Sequence, residues 1–213
     1  WWQAAFGQLA LSPVTLYYVY FAFKACGMPP ATVPLPAFLP LLRSLMIAHI
    51  VNGWGFYWSH RALHSRLLYA RVHKRHHEYT ASVGFAAEYA HPFEQIVSNQ
   101  GPTVLGCLLI GSHLGVWLVW LTVRLLRTYE GHCGYCFKGT WLAKIGVLHG
   151  SAYHDFHHAD NRGNFGGPEY LDALCGTQDA WLKIGGTEGY MAQKRDIKVK
   201  CINALRVVDA KRA

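Results

Sequence analysis

The chain has 213 residues, 52% apolar and 15% charged, with a formal net charge of +8. That length fits a single domain, read here as 1–213. The basic residues are scattered and no recognition motif accompanies them, which argues against a nucleic-acid partner, and the uncharged runs are too long and too rich in Trp, Tyr and Leu for an ordinary soluble helical domain.

Taken in order, the first 23 residues carry no charge, and the first is Lys24. A helix needs roughly 20 residues to cross a bilayer core, so a first span is predicted at about 5–23. Pro34, Pro36 and Pro40 make an entry loop, and a second span follows at about 38–58. A third uncharged stretch, 95–123, holds Gly111-Ser112-His113 at its middle. Gly and Ser mark a turn, so a hairpin of two shorter helices, about 95–111 and 113–126, is expected rather than one long helix. Arg61, Arg66, Arg71, Lys74 and Arg75 follow the second span, and Arg124 and Arg127 follow the third region. By the positive-inside rule these segments face the cytosol and meet anionic lipid. The expected architecture is therefore an all-α integral membrane protein. It has about four spans in two hairpins and a cytosolic, histidine-rich helical cap built from 60–91 and 128–165.

Six cysteines stand at 26, 107, 133, 136, 175 and 201. Cys133-x-x-Cys136 lacks the second pair a zinc ribbon needs, so all are read as free thiols.

Eight of the 13 histidines form three clusters: His60 and His64; His73, His76 and His77; His154, His157 and His158. On a helix, residues i and i+4 share a face and i+3 lies beside them. Each cluster thus offers two or three neighbouring imidazoles. Imidazole suits iron, zinc, copper or nickel. Eight such groups exceed the needs of one ion and match two ions at four or five ligands each. His132 and His91 flank the apolar hairpin and are further candidate ligands; His149 is a weaker one. His49 and His113 lie inside apolar runs and are read as hydrogen-bonded membrane histidines. Asp155, Glu78, Glu88 and Glu130 are candidate acceptors for the second ring N–H of a ligand histidine.

At these residues the chain resembles the fatty acid hydroxylase and sterol desaturase superfamily. The run His73-Lys-Arg-His76-His77-Glu78-Tyr79 with Glu88-Tyr-Ala-His91-Pro92 is most similar to the sterol 4-methyl oxidases, as are Glu130-Gly-His132-Cys-Gly-Tyr135 and His154-Asp-Phe-His157-His158 followed by Gly163-Asn164-Phe165. The resemblance spans roughly 45–180. It differs at Tyr153, where that branch usually has another histidine, and near Asp172, where the family tends to place an aromatic beside the aspartate. The resemblance implies two iron ions on the cytosolic face that activate dioxygen against an unactivated C–H bond. The substrate would be the carbon-4 methyl of a sterol precursor, and the site the endoplasmic reticulum membrane. No fused electron carrier is visible, so electrons would come from NAD(P)H through a separate cytochrome b5 and its reductase. The alternatives are a sterol desaturase, a hydroxylase of fatty acyl, sphingoid or alkyl lipids, and, more distantly, a membrane metal-binding protein without catalysis. A zinc hydrolase would need a His-Glu-x-x-His helix, which is missing.

Overall fold

The computed structural model describes residues 2–80, 83–137, 140, 150–166 and 169–210, with the backbone alone for 199 and 201–210. The described residues are helical, with no strand among them. The uncharged N-terminal run forms α1 (Trp2–Phe6), a π-helical turn (Gly7–Leu11) and α2 (Ser12–Ala25), continuous with one another. Pro13 sits in the first turn of α2, directly after the π-helical turn. Gly27, at φ +87°, ends it. After the proline-rich loop, α3 (Phe38–Leu63) runs for 26 residues.

The third apolar stretch is a hairpin, as Gly111-Ser112-His113 predicts. A one-turn α4 (Pro92–Glu94) leads through a π-helical segment (Gln95–Gln100) into α5 (Gly101–Leu109). The chain reverses at Gly111, φ +55°, and α6 (Leu114–His132) returns. Only glycine fits that corner: a Cβ there would stand 2.7 Å from Cys26 O. Gly106 serves a different end. A Cβ on it would lie 2.6 Å from Ala48 Cα, so α3 and α5 approach backbone to backbone.

The core between these helices gathers Phe23, Ala48, Val104, Cys107, Trp117 and Trp120. Several polar side chains inside it pair with one another. Thr103 Oγ1 donates to Asn52 Oδ1 (3.1 Å), Trp120 Nε1 to Thr103 O (2.9 Å), and Ser59 and Ser98 share a 2.9 Å bond. His113 caps α6 by accepting from Gly115 N at 2.9 Å, and its Nε2 lies 2.9 Å from Val33 O. It is the hydrogen-bonded histidine expected. His49 packs edge-on against Trp120.

Beyond this bundle, α7 (Ser151–Asp160), α8 (Glu169–Cys175), α9 (Asp179–Lys183) and α10 (Gly186–Ala210) form the cap. Ala152, Tyr153, Phe156, Trp181 and Tyr190 tie α7, α9 and α10 together. Tyr57, Phe165 and Leu171 join α3 to the cap.

No described helix is long and apolar enough to cross a membrane. The predicted spans do coincide with helices, but α5 has 9 residues. The longer α3 and α6 carry Arg43, Asn52 and Arg61, and Arg124, Arg127 and Glu130, within their lengths. The bundle nevertheless presents large apolar side chains outward, among them Leu9, Phe38, Leu39 and Leu109.

Candidate metal centre

Four chain segments meet where the bundle joins the cap. The last turn of α3 carries His60, and His64 is its C-cap. A 3-10 turn, His73–Glu78, carries the second cluster. The end of α6 supplies His132, and α7 the third cluster. Nine imidazoles converge there in two groups. One consists of His60, His64, His73, His77 and His157; the other of His76, His132, His154 and His158. Within each group the ligating atoms all lie within 4.8 Å of one another.

The partition follows from local geometry. In each triplet the outer pair, i and i+4, joins one group and the remaining histidine turns to the other. His73 and His77 enter the first group and His76 the second; His154 and His158 enter the second and His157 the first. Each triplet therefore bridges both groups and fixes their separation.

It is the Nε2 atoms that converge. His73 Nε2 lies 3.0 Å from the Nε2 atoms of His60, His64 and His77, and His64 Nε2 lies 3.2 Å from that of His157. In the second group the spacings are 2.9 Å for His154–His132, 3.2 Å for His158–His154 and 3.3 Å for His132–His76. Four of the opposite ring nitrogens face backbone carbonyls. His60 Nδ1 is 2.7 Å from Phe165 O, His157 Nδ1 2.5 Å from Gly163 O, and His132 Nδ1 2.8 Å from Thr128 O. His76 Nδ1 is a longer 3.4 Å from Tyr89 O. A carbonyl only accepts, so it places the proton on Nδ1 and leaves the Nε2 lone pair free. Facing lone pairs cannot hydrogen-bond one another. A cation satisfies them, and the residues fit a metal pair.

Burial keeps the rings neutral. Desolvation is the largest cause of a lowered pKa in every one of the nine, with neighbouring imidazoles reinforcing it in all but His76. His76 is pulled down to about 4, His132 to about 3 and His64 to about 2. Neutral imidazole is the ligating form.

The carbonyls at Gly163 and Phe165 are themselves held. Asn161 ends α7 in the left-handed region (φ 62°), and Asn164 repeats that conformation (φ 57°). Fully buried Asp172 accepts from Phe165 N (2.9 Å), Gly166 N (2.8 Å) and Thr177 Oγ1 (2.6 Å). The Gly163-Asn164-Phe165 turn is thus a bracket that aims two carbonyls at two histidines of the first group.

Beside both groups lies a cavity of about 110 Å³. His60, His76, His132 and His154 line one side, and Phe56, Trp120, Arg124 and Arg127 line others. A second cavity of about 140 Å³, lined by Leu16, Val19, Trp117 and Leu121, abuts it. The two share Ala87, Asn99, Arg124 and Thr128 as walls.

Residues 45–177, more than half of the chain, match the model of the fatty acid hydroxylase family. The chain belongs to the fatty acid hydroxylase family. A putative methylsterol monooxygenase of Dictyostelium discoideum is 42% identical over 157 residues, covering 73% of this chain and 58% of that protein. Methylsterol monooxygenase 2-2 of Arabidopsis thaliana is 36% identical over 169 residues, covering 78% and 63%. A very-long-chain aldehyde decarbonylase of Oryza sativa subsp. indica is 36% identical over 173 residues, covering 79% and 64%. The chain spans about three-fifths of the length of these relatives. No solved structure matches it.

In this fatty acid hydroxylase domain nine of the ten histidines expected as ligands meet. The tenth, His91, does not. Its Nδ1 accepts from Phe93 N at 3.1 Å and caps α4, so it belongs to neither group. His149 lies outside the described residues. The acidic residues expected to orient rings are engaged elsewhere. Glu130 accepts from Gly150 N and Ser151 N at the start of α7, and Glu78 accepts from Tyr89 OH. Asp155 accepts from Tyr190 OH and pairs with Lys194, while Glu88 accepts from Gln8 Nε2. Glu94, which the sequence reading missed, is the carboxylate beside a ligand ring: its Oε1 lies 2.9 Å from His73 Nδ1. Burial raises its pKa well above the usual range. Its only advance signal was a charge in a one-turn helix after Pro92.

Proposed function

We propose that this chain is the metal-bearing part of a membrane monooxygenase that holds two iron ions and oxidises a lipid. The sterol carbon-4 methyl group is the favoured target. The observation that carries the reading is the convergence of nine neutral imidazoles, seven buried and two half-buried, in two groups against an apolar-walled cavity. The imidazole donor set alone suits several metals; family membership and the methylsterol monooxygenase relatives favour iron and a lipid substrate.

Iron, when bound, supplies the activation of dioxygen. The protein does the rest. The Nε2 atoms ligate, and the Nδ1–H groups of His60, His76, His132 and His157 face carbonyls that hold those rings in place. Phe56 and Trp120 line the cavity and exclude water from beside the ligands. One hydroxylation converts a methyl and dioxygen, with two electrons and two protons from an outside donor, to an alcohol and water. Cytochrome b5, reduced from NAD(P)H through its reductase, fits that donor role. Outward-facing apolar side chains on the helices and a net charge of +8 support a multi-pass seat in the endoplasmic reticulum membrane, histidines toward the cytosol.

Expression in a yeast strain lacking its own sterol 4-methyl oxidase tests the substrate. The intact chain should clear 4,4-dimethylsterols, read by mass spectrometry, and a His76→Ala/His157→Ala version should not. A protein that holds its iron yet leaves those sterols unchanged rules out the sterol substrate. The aldehyde decarbonylase relatives support a second reading, oxidative chemistry on long-chain lipids at the same site. Altered long-chain products with unchanged sterols would decide for it.

A further inference from the structure

We infer that Arg124 is a carboxylate anchor, and that the two abutting cavities form one binding site for an amphiphile whose acid group sits on it. The inference rests on the lipid-oxidising reading above and adds a chemical class to the substrate or product.

Arg124 stands on α6 and lines both cavities. Its Nε is buried without a hydrogen-bond partner, and among the described residues its side chain makes no hydrogen bond or ion pair. The guanidinium carbon lies 5.4 Å from the centroid of the Phe56 ring. Glu88, the acidic residue whose field reaches it, lies beyond ion-pair distance and accepts from Gln8 Nε2. Arg127, three residues on and lining the first cavity, adds a second positive charge. Of the other carboxylates on the first cavity with partners described, Glu130 is taken by the α7 N-terminus and Glu94 turns its Oε1 to His73.

A guanidinium in low dielectric without an anion is expensive, because desolvation is not offset by a partner. A bidentate carboxylate is the ligand that matches its planar fork. The walls dictate the remainder of the molecule. On one side of Arg124 lie Leu16, Val19, Trp117 and Leu121, fit for an apolar body; on the other lie His132 and His154. An acid bound at Arg124 therefore has its nearest carbons beside the histidines.

The probes are 9,10-dibromostearic acid and 9,10-dibromo-octadecanol, whose bromines quench Trp117 and Trp120 fluorescence. They are titrated into the metal-loaded, full chain in detergent. The expected result is binding of the acid tighter than the alcohol by about tenfold or more, the size of one charge-assisted bidentate pair. Arg124→Gln should bind both equally, at the wild-type affinity for the alcohol, with its metal content unchanged. Arg124→Lys should keep the charge and a reduced preference; it decides the matter if the Gln variant loses metal. No preference in the wild type, or a full preference in either variant, overturns the proposal. The readout is equilibrium binding, so it stands or falls apart from sterol turnover in yeast.

Discussion

Asp172 provides a sharp test of how the backbone bracket supports the first histidine group. Its carboxylate is the buried acceptor for Phe165 N, Gly166 N and Thr177 Oγ1. Asp172→Asn preserves volume but replaces one oxygen with an NH2 group. If Oδ1 keeps Phe165 N and Thr177 Oγ1, the new donor faces Gly166 N–H. One charge-assisted bond is lost and two buried donors, the new NH2 and Gly166 N–H, are left facing each other, for a cost of about 2–4 kcal/mol. That is a sizeable share of a stability of about 5–15 kcal/mol, yet compatible with a folded protein. The bracket carries Phe165 O and Gly163 O, which orient His60 and His157. Loss of such outer support lowers metal affinity by roughly 10–100-fold. The effect should fall on one metal only, since the carbonyls of the bracket face His60 and His157 and none of His76, His132, His154 and His158. Chelator titration of the metal-loaded protein, followed by elemental analysis, should show one ion leaving far earlier than in the wild type and the other unchanged. The melting temperature should fall as well. Simultaneous loss of both ions, or wild-type retention of both, would refute the reasoning.

Three further outcomes follow from the same structure. His91→Ala should leave metal content unchanged and lower stability by no more than about 1 kcal/mol, the usual worth of a cap; elemental analysis with thermal denaturation checks this. Gly106→Val should destabilise by at least about 1–3 kcal/mol, because its side chain meets the Ala48 backbone rather than a movable side chain, read by denaturant unfolding of the detergent-solubilised protein. Metal-free protein should lose stability in acid. The ligand imidazoles titrate near 6.5 when unfolded but lower when folded. Their contribution is complete above about pH 6.5 and is lost as pH falls, through about 4 for His76 and further for His132 at about 3. Melting temperatures of chelated protein should drop between pH 6.5 and 4 and hold flat between pH 7 and 8.

Much of the centre was legible because ligand pairs on one helical turn leave a local trace. His154, His157 and His158 stand at i, i+3 and i+4 on α7, and that spacing alone predicts convergence. Their division between two groups was not legible, since it depends on where α3, α6 and the 3-10 turn lie relative to α7. The hairpin was readable from Gly111, whose left-handed corner no other residue would tolerate. Outer support was hidden for a different reason. Carbonyls carry no sequence signature, and Asp172 acts through the backbone of Phe165 and Gly166 rather than on a ring. His91 misled because nearness in sequence to ligands resembles membership; the following Pro92, which suits a first helical turn, was the better clue to its role as a cap. The helices lie where apolar runs place them, but Arg124, Arg127 and Glu130 of α6 line the cavity and Arg43 and Arg61 interrupt α3, which shortens their apolar lengths.

The central claim is that one chain holds two metal ions, each in its own histidine group. Its most direct test counts iron per chain by elemental analysis in the wild type, in His157→Ala and in His158→Ala, each purified after growth with added iron. The account predicts two ions in the wild type and preferential loss of one in each variant, with the two variants losing different ions by their Mössbauer signatures. A single iron in the wild type, or the same ion lost from both variants, would contradict it.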